Sequence, residues 1–361
     1  MNNAKFLDWV KKEILSSGPI SVSNAMRAAL THKDFGYYHS KKIIGSKGDF
    51  ITGPEISQIF GELIGAFLGY IWEQSGKPSN SLLCEFGPGL GTLSADINRA
   101  LRQIYPNFSC SPLHLIETSK SFRKIQKTKL NKQSVYWHED FKKIPKNPVF
   151  AVANEFFDAL GVDQAIFDGI NWRQRLLNFS SKFEYVAGPI LNETQLKHFD
   201  ANHIKNPDKG TIIEYCPKSE QIITEVALHI KQFGGVLLII DYGKTNQIGD
   251  TIQAVLNHKP AEPWSSAGDA DISHWVDFKS IERTVEKVGA RFIGPVSQSH
   301  FLTQIGIKQR AQNLSQIDNP RHNRAIFAAV DRLISPAHMG NIFQVGLITP
   351  IGKGFPPGFK V

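Results

Sequence analysis

Residues 82–92 read Leu-Leu-Cys-Glu-Phe-Gly-Pro-Gly-Leu-Gly-Thr, an apolar run that ends in an acid and continues into a loop of alternating glycines. The apolar run is typical of a buried strand. Gly87, Gly89 and Gly91 carry no Cβ, so the backbone can turn sharply there and bring its N–H groups close to a ligand. The stretch therefore predicts a strand, a cofactor-binding loop and a helix in succession.

The spacing of the glycines distinguishes two classes of cofactor. A dinucleotide fingerprint has a third glycine three positions after its second, where the pyrophosphate meets the helix. Thr92 occupies that position here. Glu85, at the end of the strand, would repel a pyrophosphate but attract the ammonium and sulfonium cations of S-adenosylmethionine. We therefore predict S-adenosylmethionine as the cofactor, and a nicotinamide oxidoreductase stays open as an alternative.

Two further acids close short apolar runs. Glu117 follows the run 113–116, where a carboxylate can accept both hydroxyls of a ribose in dinucleotide and S-adenosylmethionine folds alike. Asp140 follows the next run, where it can accept a hydrogen bond from the adenine amino group with Phe141 beside the ring. A solvated strand end is the alternative for each acid taken alone. Acids in this order, each after an apolar run, favour a methyltransferase fold.

The order of apolar runs along the chain predicts the fold class. Short runs alternate with helical patterns, which is typical of a parallel sheet flanked by helices; the runs are 82–86, 113–117, 135–137, 149–153 and 235–241. An Asp-Gly turn at 168–169 lies between apolar flanks and predicts a β-hairpin. We predict an α/β fold: a Rossmann-like class I methyltransferase sheet over 81–361, a β-hairpin insertion at about 161–215 and a helical N-terminal region over 1–80.

The segment after the fourth predicted strand is the expected substrate site, because the carboxyl edge of an α/β sheet faces the ligand crevice. Residues 154–160 read Asn-Glu-Phe-Phe-Asp-Ala-Leu. Glu155 and Asp158 place two acids beside aromatic rings, and paired carboxylates bind a guanidinium through bidentate hydrogen bonds. We predict Asn154, Glu155 and Asp158 as catalytic residues. In the alternative interpretation, the phenylalanines belong to the core and Glu155 caps the next helix.

Composition limits the partners of the protein. The formal net charge is +8 and the pI is about 9.2, but the basic residues are scattered, with one small cluster at 120–132 on a predicted helix. A solvated basic face therefore explains the charge better than nucleic acid binding. The 3 cysteines show no Cys-x-x-Cys pair, and the 12 histidines show no ligand spacing. We expect neither a disulfide framework nor a metal site.

The apolar stretches are too short for a membrane span. The longest lies within 59–72 and contains Glu62. The N-terminus alternates apolar and charged residues as an amphipathic helix does, unlike a secretory or transit peptide. We therefore expect a cytoplasmic, bacterial protein without membrane insertion.

Several motifs together resemble the MidA-like class I methyltransferases, whose mitochondrial member is a protein arginine methyltransferase needed for assembly of respiratory complex I. The resemblance covers nearly the whole chain. The segments that carry it are 48–52 (Gly-Asp-Phe-Ile-Thr), 54–57 (Pro-Glu-Ile-Ser), 85–91 (Glu-Phe-Gly-Pro-Gly-Leu-Gly), 154–160, 241–243 (Asp-Tyr-Gly), 276–278 (Val-Asp-Phe) and 339–340 (Met-Gly).

The resemblance implies a role for each segment. The glycine loop and Glu117 would hold S-adenosylmethionine, and the segment 48–55, with Gly48, Asp49 and Thr52, would cover it. From composition alone, the polar, glycine-rich run 45–55 can equally be a simple connector. The Asn154 segment would face the substrate.

We therefore expect an S-adenosylmethionine-dependent methyltransferase that modifies an arginine of a partner protein, such as a complex I subunit. The alternative is an assembly factor or scaffold that binds S-adenosylmethionine without turnover. The expected partner is a protein substrate and no nucleic acid, and a homodimer is left open.

Overall fold

The structure is a computed structural model of the chain, and it describes residues 2–39, 52–131, 134–316, 319–350, 352 and 354–360. Gly48 and Asp49, and with them half of the expected covering segment 48–55, lie outside the described residues.

The chain divides into two compact units. The antiparallel-sheet unit consists of Met1–Phe50, Phe157–Gln221 and Lys244–Asp277. The parallel-sheet unit consists of Ile51–Phe156, Ile222–Gly243 and Phe278–Val361.

The described residues form these helices in chain order: α1 (Asn2–Ser17), α2 (Val22–Thr31), α3 (Gly53–Ile56), α4 (Gln58–Gln74), α5 (Thr92–Ile104), α6 (Pro106–Ser109), α7 (Lys120–Lys129), α8 (Glu193–Phe199), α9 (Pro217–Phe233), α10 (Phe278–Lys287), α11 (Gln298–Gln304), α12 (Ile307–Leu314), α13 (Pro320–Ile334) and α14 (Met339–Ile342).

The strands are β1 (Ile20–Ser21), β2 (Leu82–Phe86), β3 (Leu113–Ile116), β4 (Val135–His138), β5 (Val149–Asn154), β6 (Asp163–Phe167), β7 (Trp172–Phe179), β8 (Phe183–Ile190), β9 (Ile212–Tyr215), β10 (Gly235–Lys244), β11 (Gln253–Leu256), β12 (Lys259–Ala261), β13 (Asp271–Ser273), β14 (Val276–Asp277), β15 (Arg291–Ser297) and β16 (Phe343–Thr349).

The parallel-sheet unit is built on a sheet with the strand order β15-β16-β10-β5-β2-β3-β4. Strands β10, β5, β2, β3 and β4 are parallel, and β16 and β15 continue the sheet in antiparallel pairing. The chain moves outward from β2 through β3 to β4 and then returns to β5, so the order reverses between β2 and β5. Ligands bind at such a switch point, beyond the carboxyl ends of the strands.

The central strands are continuously apolar because both of their faces are covered. Every residue of β2 and β5 is buried, which is the expected pattern for parallel strands between helical layers. Helix α4 lies very close to α5, the helix that begins at the glycine loop. A Cβ at Gly61 would lie 2.5 Å from Cβ of Asp96, and one at Gly65 would lie 2.8 Å from the carbonyl oxygen of Ile97. These glycines therefore allow the two helices to approach.

The antiparallel-sheet unit contains a sheet with the order β1-β7-β6-β9, in which β8 also pairs with β7. The predicted hairpin is present as β6 and β7. Its turn is held by Asp168, whose Oδ1 accepts hydrogen bonds from the backbone N–H groups of Ile170 and Asn171 at 2.9 and 2.8 Å. A second sheet, β12-β11-β13, lies within the long polar connection after β10, where the sequence predicts no strands.

The division of the chain differs from the predicted one at the N-terminal side. The prediction places 1–80 in one helical region, whereas α3 and α4 group with the parallel sheet and 2–39 group with the hairpin insertion. Helical periodicity shows that a face is apolar but not which surface covers it. Helix α2 packs on β7, while α4 packs on α5. Across the part of the chain that the structure describes, no helix is long and apolar enough to cross a membrane.

Candidate functional site

The glycine loop follows β2 at the switch point and offers its backbone to open space. Gly87, Gly89 and Gly91 have φ angles of 59°, 49° and 75°, which L side chains rarely adopt. A Cβ at Gly89 would meet no atom of the described residues within 4 Å, whereas a Cβ at Gly87 would lie 2.8 Å from the ring of Phe156. The loop is therefore shaped to approach a ligand at Gly89, and it packs against the segment after β5 at Gly87.

Glu117 follows β3, as predicted, and its carboxylate is held on both sides. Its side chain is buried. Oε1 accepts a hydrogen bond from the backbone N–H of Ser119 at 2.7 Å, and Oε2 accepts one from Nε2 of Gln126 at 3.2 Å. Burial raises the pKa of Glu117, and these two hydrogen bonds oppose the rise. The carboxylate is therefore fixed in place beside the glycine loop, because Gln126 also bonds to Gly89.

Glu85 is a buried residue at the end of β2. Only 4% of the residue is exposed, and Oγ of Ser94, in the first turns of α5, donates a hydrogen bond to its carboxylate. Burial raises the pKa of Glu85 to about 7, and the negative charge of Glu117 adds to the rise while the Ser94 hydrogen bond opposes it. The side chain thus lies beneath the start of α5. Its predicted contact with the cations of the cofactor stays a prediction.

Asp140 and Phe141 have structural partners. Oδ1 of Asp140 accepts a hydrogen bond from the backbone N–H of Lys142 at 3.0 Å and so caps a short 3-10 turn. Phe141 is buried, with its ring 5.5 Å from that of Phe86 and 5.3 Å from that of His229. These contacts identify Phe141 as a core residue. The predicted adenine contacts of both residues stay predictions.

The end of β5 holds a buried amide oxygen for which the described residues supply no hydrogen-bond donor. Nδ2 of Asn154 donates to Oε1 of Glu155 at 3.1 Å, and the backbone N–H of Gly53 donates to the same oxygen at 3.1 Å. Oδ1 of Asn154 is buried and accepts no hydrogen bond from any described residue. Thr52, predicted to cover the cofactor, is the N-cap of α3 and directly precedes Gly53. A ligand with an N–H or O–H group would satisfy Asn154.

Asp241 fixes the turn that follows β5. This fully buried residue lies on β10, the neighbouring parallel strand. Its Oδ2 accepts from the backbone N–H of Phe156 at 3.2 Å, and its Oδ1 accepts from that of Tyr242 at 3.1 Å. Glu155, between Asn154 and Phe156, has a left-handed backbone with φ of 49°. Non-glycine residues with this conformation are concentrated at functional sites, where surrounding contacts hold them.

The predicted acid pair is divided between the two units, because their boundary falls between Phe156 and Phe157. Glu155 belongs to the parallel-sheet unit and Asp158 to the antiparallel-sheet unit.

The backbone carbonyl of Asp158, a buried residue, accepts a hydrogen bond from the backbone N–H of His274 at 3.0 Å. Burial lowers the pKa of His274 to about 4, so its imidazole is neutral at physiological pH. The roles of Asn154, Glu155 and Asp158 in catalysis stay predictions.

The sequence prediction omits Gln126, which connects Gly89 with Glu117. The signal for it is weak: Gln126 is a polar residue four positions after Phe122, and these two are the buried residues of the otherwise basic helix α7. Asp241 lies in the segment 241–243 that carries the family resemblance, but nothing in its sequence position predicts the bond to Phe156. Among the described residues, no group of three or more histidines, cysteines and acids is placed to hold a metal ion.

Comparison with known proteins identifies the family. A model of a family of S-adenosyl-L-methionine-dependent methyltransferases matches residues 63–296. The mitochondrial protein arginine methyltransferase NDUFAF7 of Homo sapiens is 33% identical over 369 residues, covering 94% of this chain and 82% of its own. The protein of the same name from Xenopus laevis is 32% identical over 369 residues, covering 94% and 83%.

The fold also matches a crystal structure. A protein from Burkholderia thailandensis, whose crystal structure contains bound S-adenosyl-homocysteine, superposes with a TM-score of 0.84 at 23% identity, covering 99% of this chain and 95% of that one. This likeness confirms the predicted α/β methyltransferase fold. The sequence match to the family model and to the curated relatives goes further: the chain belongs to this family of S-adenosylmethionine-dependent methyltransferases, and S-adenosylmethionine is its cofactor.

Proposed function

We propose that this protein transfers a methyl group from S-adenosylmethionine to an arginine of a partner protein. The observation that carries the proposal is the similarity, over 94% of the chain, to proteins named protein arginine methyltransferases. The geometry at the end of β5 supports it, since the buried Oδ1 of Asn154 and the acid Glu155 lie next to the glycine loop through Phe156. An amide oxygen and a carboxylate are the acceptors that a guanidinium, which has only N–H donors, requires.

The residues of the parallel-sheet unit fit the cofactor. The open space at Gly89 admits a ligand against the backbone of the loop. Glu117, with both oxygens held, would accept the ribose hydroxyls. When bound, S-adenosylmethionine supplies an electrophilic methyl group on a sulfonium, and its transfer leaves S-adenosylhomocysteine.

The protein's contribution to the reaction is positioning and charge. Asn154 would accept one guanidinium N–H through Oδ1 and so orient a nitrogen lone pair toward the methyl carbon. A new C–N bond forms as the C–S bond breaks, and the nitrogen that is methylated loses a proton. The carboxylate of Glu155 would stabilise the cationic guanidinium and accept that proton, directly or through water.

The test is transfer of an isotope-labelled methyl group. The purified protein is incubated with labelled S-adenosylmethionine and an extract from cells that lack the protein, and the labelled product is identified by mass spectrometry. We expect one main labelled protein that carries methylarginine. Label on another residue type would overturn the arginine assignment. Tight cofactor binding without any labelled product would instead favour the scaffold.

The identity of the partner is a finer proposal. The resemblance to the MidA-like proteins suggests a subunit of respiratory complex I, and a comparison of labelling in extracts with and without that complex tests it. The relatives are named as mitochondrial, while a cytoplasmic location for this chain stays a prediction. Size-exclusion chromatography with light scattering would test the homodimer.

A further inference from the structure

Gln126 is a buried polar residue on a helix with several exposed lysines. None of its surface is exposed, whereas Lys120, Lys124 and Lys127 of the same helix are exposed. A buried amide is costly unless its donors and acceptor are all used. The partners of this side chain therefore indicate why the position tolerates a polar group.

The amide of Gln126 makes three hydrogen bonds, and they fix its orientation. Nε2 donates to the carbonyl oxygen of Gly89 at 2.8 Å and to Oε2 of Glu117 at 3.2 Å. Oε1 accepts from the indole Nε1 of Trp137 at 2.8 Å. An indole N–H can only donate, so the amide oxygen must face Trp137 and the amide nitrogen must face the two oxygens. A flipped amide would lose all three bonds.

We infer that Gln126 is a positioning residue that joins the glycine loop to the ribose-binding acid before the cofactor arrives. Its two N–H groups hold the carbonyl of Gly89 and the carboxylate of Glu117 at a fixed separation, while the N–H of Ser119 holds the other oxygen of Glu117. A site that is already ordered binds its ligand with a smaller loss of conformational entropy. The inference rests on the proposed cofactor roles of Gly89 and Glu117, and it does not depend on which substrate is methylated.

Two substitutions separate positioning from simple packing. Gln126→Met keeps the length of the side chain but leaves Gly89, Glu117 and Trp137 without this partner. Gln126→Glu keeps the shape and can still accept from Trp137, but its carboxylate would face the oxygens of Gly89 and Glu117. The glutamate variant must therefore take up a proton to restore the donor, so its cofactor affinity acquires a new pH dependence.

A matched control exists in the same unit. Gln298, on α11, is 1% exposed and donates through Nε2 to the carbonyl oxygen of Leu333 at 2.8 Å. Gln298→Met removes a buried amide of the same size without touching the glycine loop or Glu117. The Gln298→Met variant therefore shows how much the loss of a buried glutamine lowers the stability of the unit when the cofactor site is unchanged.

The experiment measures binding of S-adenosylhomocysteine by calorimetry between pH 6 and pH 8.5, with thermal unfolding of each variant alongside. We expect Gln126→Met to weaken binding by about tenfold or more and Gln298→Met to leave it within about twofold, from the usual size of hydrogen bonds to charged groups. Gln126→Glu should bind nearly as the parent does at the acidic end and progressively worse than the parent as the pH rises.

A second ligand tests the path through Glu117. With the 2′-deoxy analogue of S-adenosylhomocysteine, the loss of affinity caused by Gln126→Met should shrink, because one hydroxyl that depends on Glu117 is missing.

Equal affinity of the parent and a folded Gln126→Met variant would overturn the inference, and so would a pH profile of Gln126→Glu that runs parallel to that of the parent. If Gln126→Met does not fold, the pH profile of Gln126→Glu decides. If the variants show these affinity changes and the parent methylates no arginine, the inference stands and the proposed function fails. If the parent does not bind S-adenosylhomocysteine, the inference is overturned.

Discussion

The backbone N–H of Gly53 donates a hydrogen bond of 3.1 Å to Oε1 of Glu155, and this bond joins the first residue of α3 to the end of β5. The sequence alternative has Glu155 cap the helix that follows it, whereas in the structure Glu155 accepts from the start of a helix that lies 102 residues earlier in the chain. Since Nδ2 of Asn154 donates to the same oxygen, the carboxylate is held in one orientation. A held carboxylate at a switch point is better suited to a ligand than a mobile one.

Replacement of Gly89 by valine should abolish S-adenosylmethionine binding. The branched side chain would fill the open space that the loop presents, and calorimetry measures the loss. A β-branched residue at positive φ is also strained, so the change costs stability. Gly76→Val is the matched control, because Gly76 has a φ of 84° and open space around its Cβ position. Cofactor affinity that is unchanged in a folded Gly89→Val protein would remove this loop from the site.

Replacement of Glu117 should weaken the cofactor more than it weakens the fold. Hydrogen bonds to a charged group contribute about 1.5 to 3 kcal/mol each, so Glu117→Ala should raise the dissociation constant at least about tenfold. Glu117→Gln retains an acceptor for the N–H of Ser119 and separates the loss of charge from the loss of the side chain. If both variants bind S-adenosylmethionine as the parent does, Glu117 is only a structural strand end.

The parallel sheet was predictable because its strands are read directly from apolar runs. The run Val149–Asn154 is buried throughout, and a run buried on both faces has few other possible structures. The same continuous apolar pattern does not show toward which face of the sheet the side chain of Glu85 points. Its neighbours Cys84 and Phe86 are as apolar as a core strand requires, so the sequence does not show which face α5 covers. The interior bond to Ser94 becomes visible only when α5 is in place.

Other parts of the site depend on partners that are distant in the chain. Gln126 is 37 residues from Gly89, and nothing in the spacing of a lysine-rich helix predicts that bond. Strands β11, β12 and β13 have 4, 3 and 3 residues, too few for a period-two pattern to emerge in a polar segment. Pairing between these strands stabilises them, whereas their own residue preferences contribute little.

Deprotonation of Glu85 should make the fold less stable as the pH rises. Its pKa in the folded protein, about 7, is above the ordinary value of 4.5. The protonated group therefore contributes stability that is present below pH 4.5 and is lost as the pH rises through about 7, and the loss is on the order of 3 kcal/mol. Glu85→Gln should remove this component, because a glutamine oxygen can still accept from Ser94.

Urea unfolding at several pH values measures this difference between the parent and Glu85→Gln. The control is Glu73→Gln, which removes a surface carboxylate that pairs with Lys77 at 2.7 Å. The stability of the parent relative to Glu85→Gln should fall between pH 4.5 and pH 8, and this fall should exceed any change relative to Glu73→Gln. A constant difference between the parent and Glu85→Gln would mean that the pKa of Glu85 is the same in the folded and the unfolded protein.

The acids after β5 should separate catalysis from cofactor binding. Glu155→Gln keeps an oxygen for Gly53 and Asn154, and Asp158→Asn keeps the shape of that residue, so both variants should fold and bind S-adenosylmethionine like the parent. Methyl transfer to the natural partner should fall by about a hundredfold or more when a charged group that stabilises the reacting guanidinium is lost. Asp163→Asn is the control, an aspartate of the antiparallel-sheet unit that accepts from Oγ of Ser23 at 2.5 Å, and it should retain full transfer. Full transfer activity in the Glu155→Gln and Asp158→Asn double variant would place the guanidinium site elsewhere, whereas loss of cofactor binding in either variant would show that these acids serve the cofactor.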